Sequence, residues 1–90
     1  MAYIELVNFS KWFHQDFGVL FESAEIGVNE YLETLTKKQR RILFNEIAAF
    51  LKDNSGKDLK SLKNAWFRLG AKWWGKEELS SLLNQLSASK

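Results

Sequence analysis

Thr36-Lys37-Lys38-Gln39-Arg40-Arg41-Ile42-Leu43-Phe44-Asn45-Glu46-Ile47-Ala48-Ala49-Phe50-Leu51-Lys52-Asp53-Asn54-Ser55-Gly56 is the stretch that decides the fold. Threonine followed three residues later by glutamine has the spacing of a capping box, where each side chain bonds the other residue's amide and starts a helix. Leu43, Ile47, Phe50 and Leu51 then recur at three- and four-residue intervals, with Phe44 and Ala48 beside them. That spacing makes one side of a helix apolar. Asp53-Asn54-Ser55-Gly56 ends it, with glycine as the C-terminal stop. A helix with one apolar stripe has to bury it, so the remaining segments must supply matching stripes.

They do. Leu6, Phe9, Phe13 and Phe17, broadened by Tyr3, Val7 and Trp12, predict a helix from about Ile4 to Asp16. A second helix is predicted from about Ala24 to Leu35, with Ser23 as N-cap and Glu25 in the first turn, where the helix dipole favours an anion. Its buried stripe is Val28, Tyr31, Leu32 and Leu35. After Gly56 another helix begins near Asp58 and places Leu59, Leu62, Trp66 and Leu69 on one face, with Ala65 allowing close approach and Gly70 ending it. Ala71-Lys72-Trp73-Trp74-Gly75 is a short aromatic connector. The last helix runs from about Lys76 to Leu86 on Leu79, Leu82, Leu83 and Leu86, with Glu77 and Glu78 in its first turn. No segment alternates with period two. The expectation is an all-α protein, a small antiparallel bundle of four to five helices, with residues 1–90 forming a single domain.

Composition agrees. Hydrophobic residues make up 46% and charged residues 27% of the 90, the balance of a globular chain. Seven Phe, four Trp and two Tyr can each bury roughly 150–250 Å², which lets a short chain build a core. There is no cysteine and no proline. Disulfides and thiolate metal sites are excluded, and a reducing compartment suits the chain. No early stretch reads as a secretory signal. No apolar run approaches the ~20 residues needed to span a bilayer. A cytoplasmic protein without membrane contact is expected.

The net charge of +2 hides a division along the chain. Residues 1–35 carry Glu5, Asp16, Glu22, Glu25, Glu30 and Glu33 against Lys11 alone, a net −5. Residues 36–76 carry eleven Lys and Arg against Glu46, Asp53 and Asp58, a net +8. Such asymmetry fits a partner of opposite charge. The basic 37–72 segment suits phosphates, whereas the acidic second helix suits a basic protein. Solvated helix faces that attract each other within the bundle are the third reading.

Catalytic chemistry finds little support. His14, in Phe13-His14-Gln15-Asp16, is the only histidine, and no cysteine or glycine-flanked serine offers a nucleophile. A zinc site needs three or four protein ligands, and neither a phosphate-cradling glycine loop nor a dinucleotide fingerprint is present. The expectation is no enzyme, no catalytic residue, no metal and no cofactor. His14 is expected to pack at a helix end while Asp16 caps or ties the next turn. Trp66 is expected in the core. Trp73 and Trp74 are adjacent, so one is expected to be buried and the other partly exposed, where a Trp serves as an interface anchor.

Phe9-Ser10-Lys11-Trp12-Phe13-His14-Gln15-Asp16-Phe17 resembles the early motif of contact-dependent growth inhibition immunity proteins, which reads aromatic-His-Gln-Asp-aromatic and stands here as Phe13 to Phe17. Ala24-Glu25 at a helix start, the amphipathic third helix, Leu69-Gly70 followed by Trp73 and Trp74, and the Leu-rich final helix are similar too. The resemblance implies an inhibitor: such proteins bind the C-terminal toxin domain of a neighbour-delivered effector, often a nuclease, and occlude its active site. It does not imply which motif residues touch the toxin; Trp12, Phe13, His14, Asp16 and Phe17 are read as structural scaffold. An acidic patch can mimic phosphates in a basic nuclease cleft, and complementary charge speeds association. Glu22, Glu25, Asn29, Glu30 and Glu33, with Trp74, form the candidate toxin-binding surface. The free protein is expected to be a monomer or weak homodimer. Nucleic-acid binding through the basic 37–72 segment is the alternative.

Overall fold

Local sequence signals become real hydrogen bonds in the structure, a computed structural model that describes residues 3–56, 58–74 and 76–88. Its helices are α1 (Ile4–Trp12), α2 (Phe17–Leu20), α3 (Ala24–Glu33), α4 (Lys37–Asp53), α5 (Leu59–Leu69) and α6 (Lys76–Ala88). The capping box of α4 is complete: Gln39 N–H donates to Thr36 Oγ1 at 3.1 Å, and Thr36 N–H donates to Gln39 Oε1 at 2.9 Å. Ser23 Oγ accepts from Ile26 N–H at 3.2 Å at the start of α3. Asp58 Oδ1 accepts from Ser61 N–H at 2.8 Å at the start of α5, and that bond holds the Asp58 carboxyl below its ordinary range. Gly70 ends α5 with φ +127°, a backbone conformation that glycine adopts without a Cβ penalty. Lys57 of the basic segment and Gly75 of the connector lie outside the described residues. So do the side chains of Lys76, Glu77 and Glu78, which include the acids expected in the last helix's first turn.

α1 has no side-chain cap of its own. Glu46, in the middle of α4, supplies one: its Oε1 accepts from Leu6 N–H at 2.9 Å. Tyr3 adds a second tie to α4. Its hydroxyl donates to Asp53, and its ring meets Phe50 edge-on at 6.3 Å.

The longer helices α1, α3, α4, α5 and α6 meet around one core. α4 packs most extensively on α6 and also on α1, while α5 packs on α1 and α6. Around the core the order is therefore α1, α4, α6, α5, and α3 packs on α6 and on α1 through Trp12 and Tyr31. The consecutive helices α4 and α5 meet where Phe50 packs on Trp66 at 6.3 Å, and they pack less extensively than these pairs. The expected all-helical bundle is found, and no strand occurs among the described residues. A continuous path of ring contacts runs from Tyr3 through Phe50, Trp66, Phe13 and Phe17 to Trp73. Trp66 is wholly buried and donates its indole N–H to the Trp73 carbonyl at 3.1 Å.

The first helix is shorter than its periodicity predicts. It ends at Trp12, and Phe17–Leu20 forms a separate single turn. The Phe13 carbonyl, which a continuing helix would have used locally, accepts instead from Lys72 N–H at 2.7 Å. Phe17 N–H turns to the His14 carbonyl at 3.0 Å. A long-range bond to the connector thus replaces a helical one, while Phe13 and Phe17 still enter the core.

Candidate functional site

The Phe13–Phe17 motif forms a corner between α1 and the connector. Phe13 and Phe17 are buried, their rings lie 4.6 Å apart, and Trp73 packs on both. Trp12 is half-buried and donates its indole N–H to the Gly27 carbonyl at 2.9 Å, joining α1 to α3. Gly27 is the close-approach point of this corner. A Cβ there would stand 2.4 Å from Phe17 Cζ and 3.0 Å from Phe21 Cδ2. His14 is half-buried in the turn, and its Nδ1 accepts from Asp16 N–H at 3.2 Å. Asp16 ties the next turn through its backbone: its carbonyl accepts from Val19 and Leu20, both at 3.0 Å. Its side chain is exposed and forms no cap, which corrects one of the two roles read from sequence.

Four of the candidate binding residues lie along α3, and Glu22 stands just before its N-cap Ser23. Glu22, Glu25, Asn29, Glu30 and Glu33 are all exposed, while Ala24, Gly27 and Val28 turn the other side of α3 into the core. Glu25 also lines a shallow open groove with Ser81, Leu82 and Gln85 of α6. Residues 12–36 contain Asp16 and these four glutamates and no Lys or Arg. Nothing within the segment neutralises this face. Trp74 sits elsewhere, on the connector between α5 and α6, half-buried against the core. Trp73 is half-buried too, so the pair is not divided into one buried and one exposed ring. Both lean on the core, and the Trp73 carbonyl is fixed by Trp66.

Exposed apolar side chains in the same stretch of sequence escape a reading of charge. Val19 is 85% exposed and Leu20 62% exposed on α2, and Ile26 is 44% exposed on α3. Only the one-turn helix, invisible in the periodicity, puts Val19 and Leu20 outside. Ile26 was detectable, because it falls off the Val28–Leu35 stripe.

The basic segment is distributed differently. Lys37, Lys38 and Arg41 are exposed at the start of α4, Lys60, Lys63 and Arg68 are exposed on α5, and Lys72 is exposed on the connector. Two different helices carry most of this charge. Arg40 buries its Nε without a hydrogen-bond partner among the described residues.

Among the described residues no group of three or more His, Cys, Asp or Glu could hold a metal ion, and no helix is long and apolar enough to cross a membrane.

No curated protein and no solved structure matches the chain. The family model described as CdiI immunity protein matches residues 2–76. That span takes in the Phe13–Phe17 corner, the acidic α3, α4, α5 and the connector. The chain belongs to the CdiI immunity protein family.

Proposed function

We propose that this chain neutralises a cognate toxin C-terminal domain in the cytoplasm of the cell that makes it, by covering the toxin's active site and doing no chemistry itself. Membership of the immunity family supports binding to a toxin. The observation that carries the finer reading is the exposed α3 face, whose carboxylates have no cation within residues 12–36. Carboxylates spaced along a helix stand in for phosphates, so the toxin that fits them is a nuclease with a basic cleft. Complementary charge raises the encounter rate and selects the partner. A specific complex buries about 800 Å² per partner, and the chain exposes 5732 Å² in all, so one such patch leaves most of the surface free. Free of toxin, the chain is a monomer or weak homodimer in this reading.

Co-expression with the toxin domain encoded immediately upstream tests it. Growth should be rescued, and the two proteins should co-elute in size exclusion. Toxicity that persists together with separate elution defeats the proposal.

A second reading has one observation in its favour. Lys37, Lys38, Arg40 and Arg41 crowd the first turns of α4, where the helix dipole disfavours cations by roughly 0.3–1 kcal/mol each at low salt. An anionic partner such as a nucleic acid would offset that. This reading predicts a mobility shift that weakens steeply with salt. Absence of a shift at low salt removes it. The division of the basic side chains between α4 and α5 favours toxin binding.

A further inference from the structure

We infer that the toxin-facing surface has an apolar centre, Ile26 with Val19 and Leu20, and that the carboxylates around it form a rim; the partner surface it fits is basic and carries an apolar pocket. The inference rests on the toxin-binding reading above and deepens it.

Helix periodicity places the rim. Residues three, four and seven apart share one side of a helix, so Ile26 lies among Asn29, Glu30 and Glu33 of α3. All three are exposed. A branched aliphatic side chain held 44% exposed in the middle of an acidic face has nothing in the fold to cover it.

α2 extends the centre. Phe17 and Phe21 bracket the one-turn helix and pack together at 4.9 Å, and both rings come down on Gly27, the residue after Ile26. The chain between these rings has to loop outward, and it exposes Val19 and Leu20. Isolated exposed aliphatics are ordinary on a protein surface. Here three sit on two elements that meet at one contact, inside a segment of 25 residues without a cation. Apolar side chains ringed by polar ones are the anatomy of a binding centre, in which the rim excludes water and the centre holds the complex.

Charge decides the occupant. A second copy of this chain would bring two unneutralised acidic segments face to face, which like-charge repulsion opposes. A basic protein surface meets no such barrier.

The two parts have different kinetic signatures, because rim charges act mainly on association and buried anchors mainly on dissociation. The test measures binding kinetics to the upstream-encoded toxin domain for the unaltered chain, Ile26→Ser and the double variant Val19→Ser/Leu20→Ser. Val19 and Leu20 carry no core packing, so the double variant folds even if Ile26→Ser does not; thermal melting checks each. Dissociation should accelerate by about tenfold or more in each variant, with association within about twofold. Unchanged dissociation in folded variants, while the unaltered chain binds, overturns this inference and leaves the toxin reading standing. Failure of the unaltered chain to bind overturns both. Sedimentation of the free chain is the remaining control: a stable dimer that the variants dissociate would assign the face to a second copy and overturn the inference.

Discussion

The indole N–H of Trp12 and the carbonyl of Gly27 are hydrogen-bonded at 2.9 Å, and this bond fixes the acidic helix to the motif corner. Two rings close the same junction from the other side, since Phe17 and Phe21 occupy the space a Cβ at position 27 would need. Alanine is better than glycine inside a helix by about 1 kcal/mol, so propensity alone predicts that Gly27→Ala stabilises. Packing predicts the reverse. A Cβ 2.4 Å from Phe17 Cζ forces the ring and its neighbours aside, and overpacking of a filled core costs about 1–3 kcal/mol. Denaturant unfolding of Gly27→Ala should show a net loss. A gain would mean that the rings have free space to move into.

A long-range cap makes the second prediction. Glu46 accepts a hydrogen bond from the amide of Leu6 at the start of α1. Losing an N-terminal cap costs about 0.5–2 kcal/mol. Glu46→Ala should lose stability in that range, and Glu46→Gln should keep much of it, because the amide oxygen accepts the same bond without the charge. Equal losses in the two variants would show that the charge matters more than the bond.

These two contacts mark the boundary of what the sequence reveals. The capping box at Thr36 and the cap at Ser23 were legible because each joins residues three apart, and both appear as hydrogen bonds. The stripes of α4, α5 and α6 were legible for the same reason. Glu46 was not, since it reaches forty residues back along the chain. Nor was the break after Trp12. Phe9, Phe13 and Phe17 keep helical spacing and all reach the core, and only the Lys72–Phe13 bond shows that the backbone has left the helix between them. The candidate face divided along the same line. Its carboxylates stood out by charge, whereas exposure of Val19 and Leu20 depends on a turn set by distant packing.

Alkaline pH probes the Tyr3 tie. Hydrogen bonding to Asp53, with smaller contributions from desolvation and from the negative charge of Asp53 and Glu46, pushes the Tyr3 phenol up from 10.0 to about 12. Below pH 10 the phenol is protonated in both folded and unfolded chains, and its contribution to stability is fully present. Between pH 10 and 12 the unfolded chain releases the proton while the folded chain keeps it, so stability falls as pH rises. Burial also raises Tyr31, so the comparison needs Tyr3→Phe, which keeps the ring against Phe50. Unfolding measured at pH 9 and pH 11 should show a steeper loss in the unaltered chain than in Tyr3→Phe. Parallel losses would mean that the Asp53 bond does not form in solution.

His14 tests whether the motif is scaffold. Its side chain accepts at Nδ1 from the Asp16 amide, within the turn. Removing an ordinary hydrogen bond costs about 0.5–1.5 kcal/mol. His14→Ala should lower unfolding stability by that amount and leave toxin association and dissociation unchanged. A fall in affinity without a fall in stability would place His14 in the interface and contradict the scaffold role.

Charge reversal separates the two surfaces that charge alone makes eligible. Glu25→Lys/Glu33→Lys changes the α3 face by four charges and touches no buried side chain. If that face docks, the pair should slow toxin association by about tenfold or more at low salt, since steering by rim charges acts on the encounter. The deficit should shrink as ionic strength rises, because exposed charges are screened beyond about 10 Å at 0.1 M salt and about 3 Å at 1 M. Lys38→Glu/Arg41→Glu makes the opposite change at the start of α4. It should leave toxin association within about twofold, or speed it, if the toxin is basic and docks on α3. It should also stabilise α4 slightly by placing anions at the positive end of its dipole. Should only the α4 pair slow association, the docking surface is the start of α4, and the toxin's complementary patch is acidic rather than the basic cleft of a nuclease.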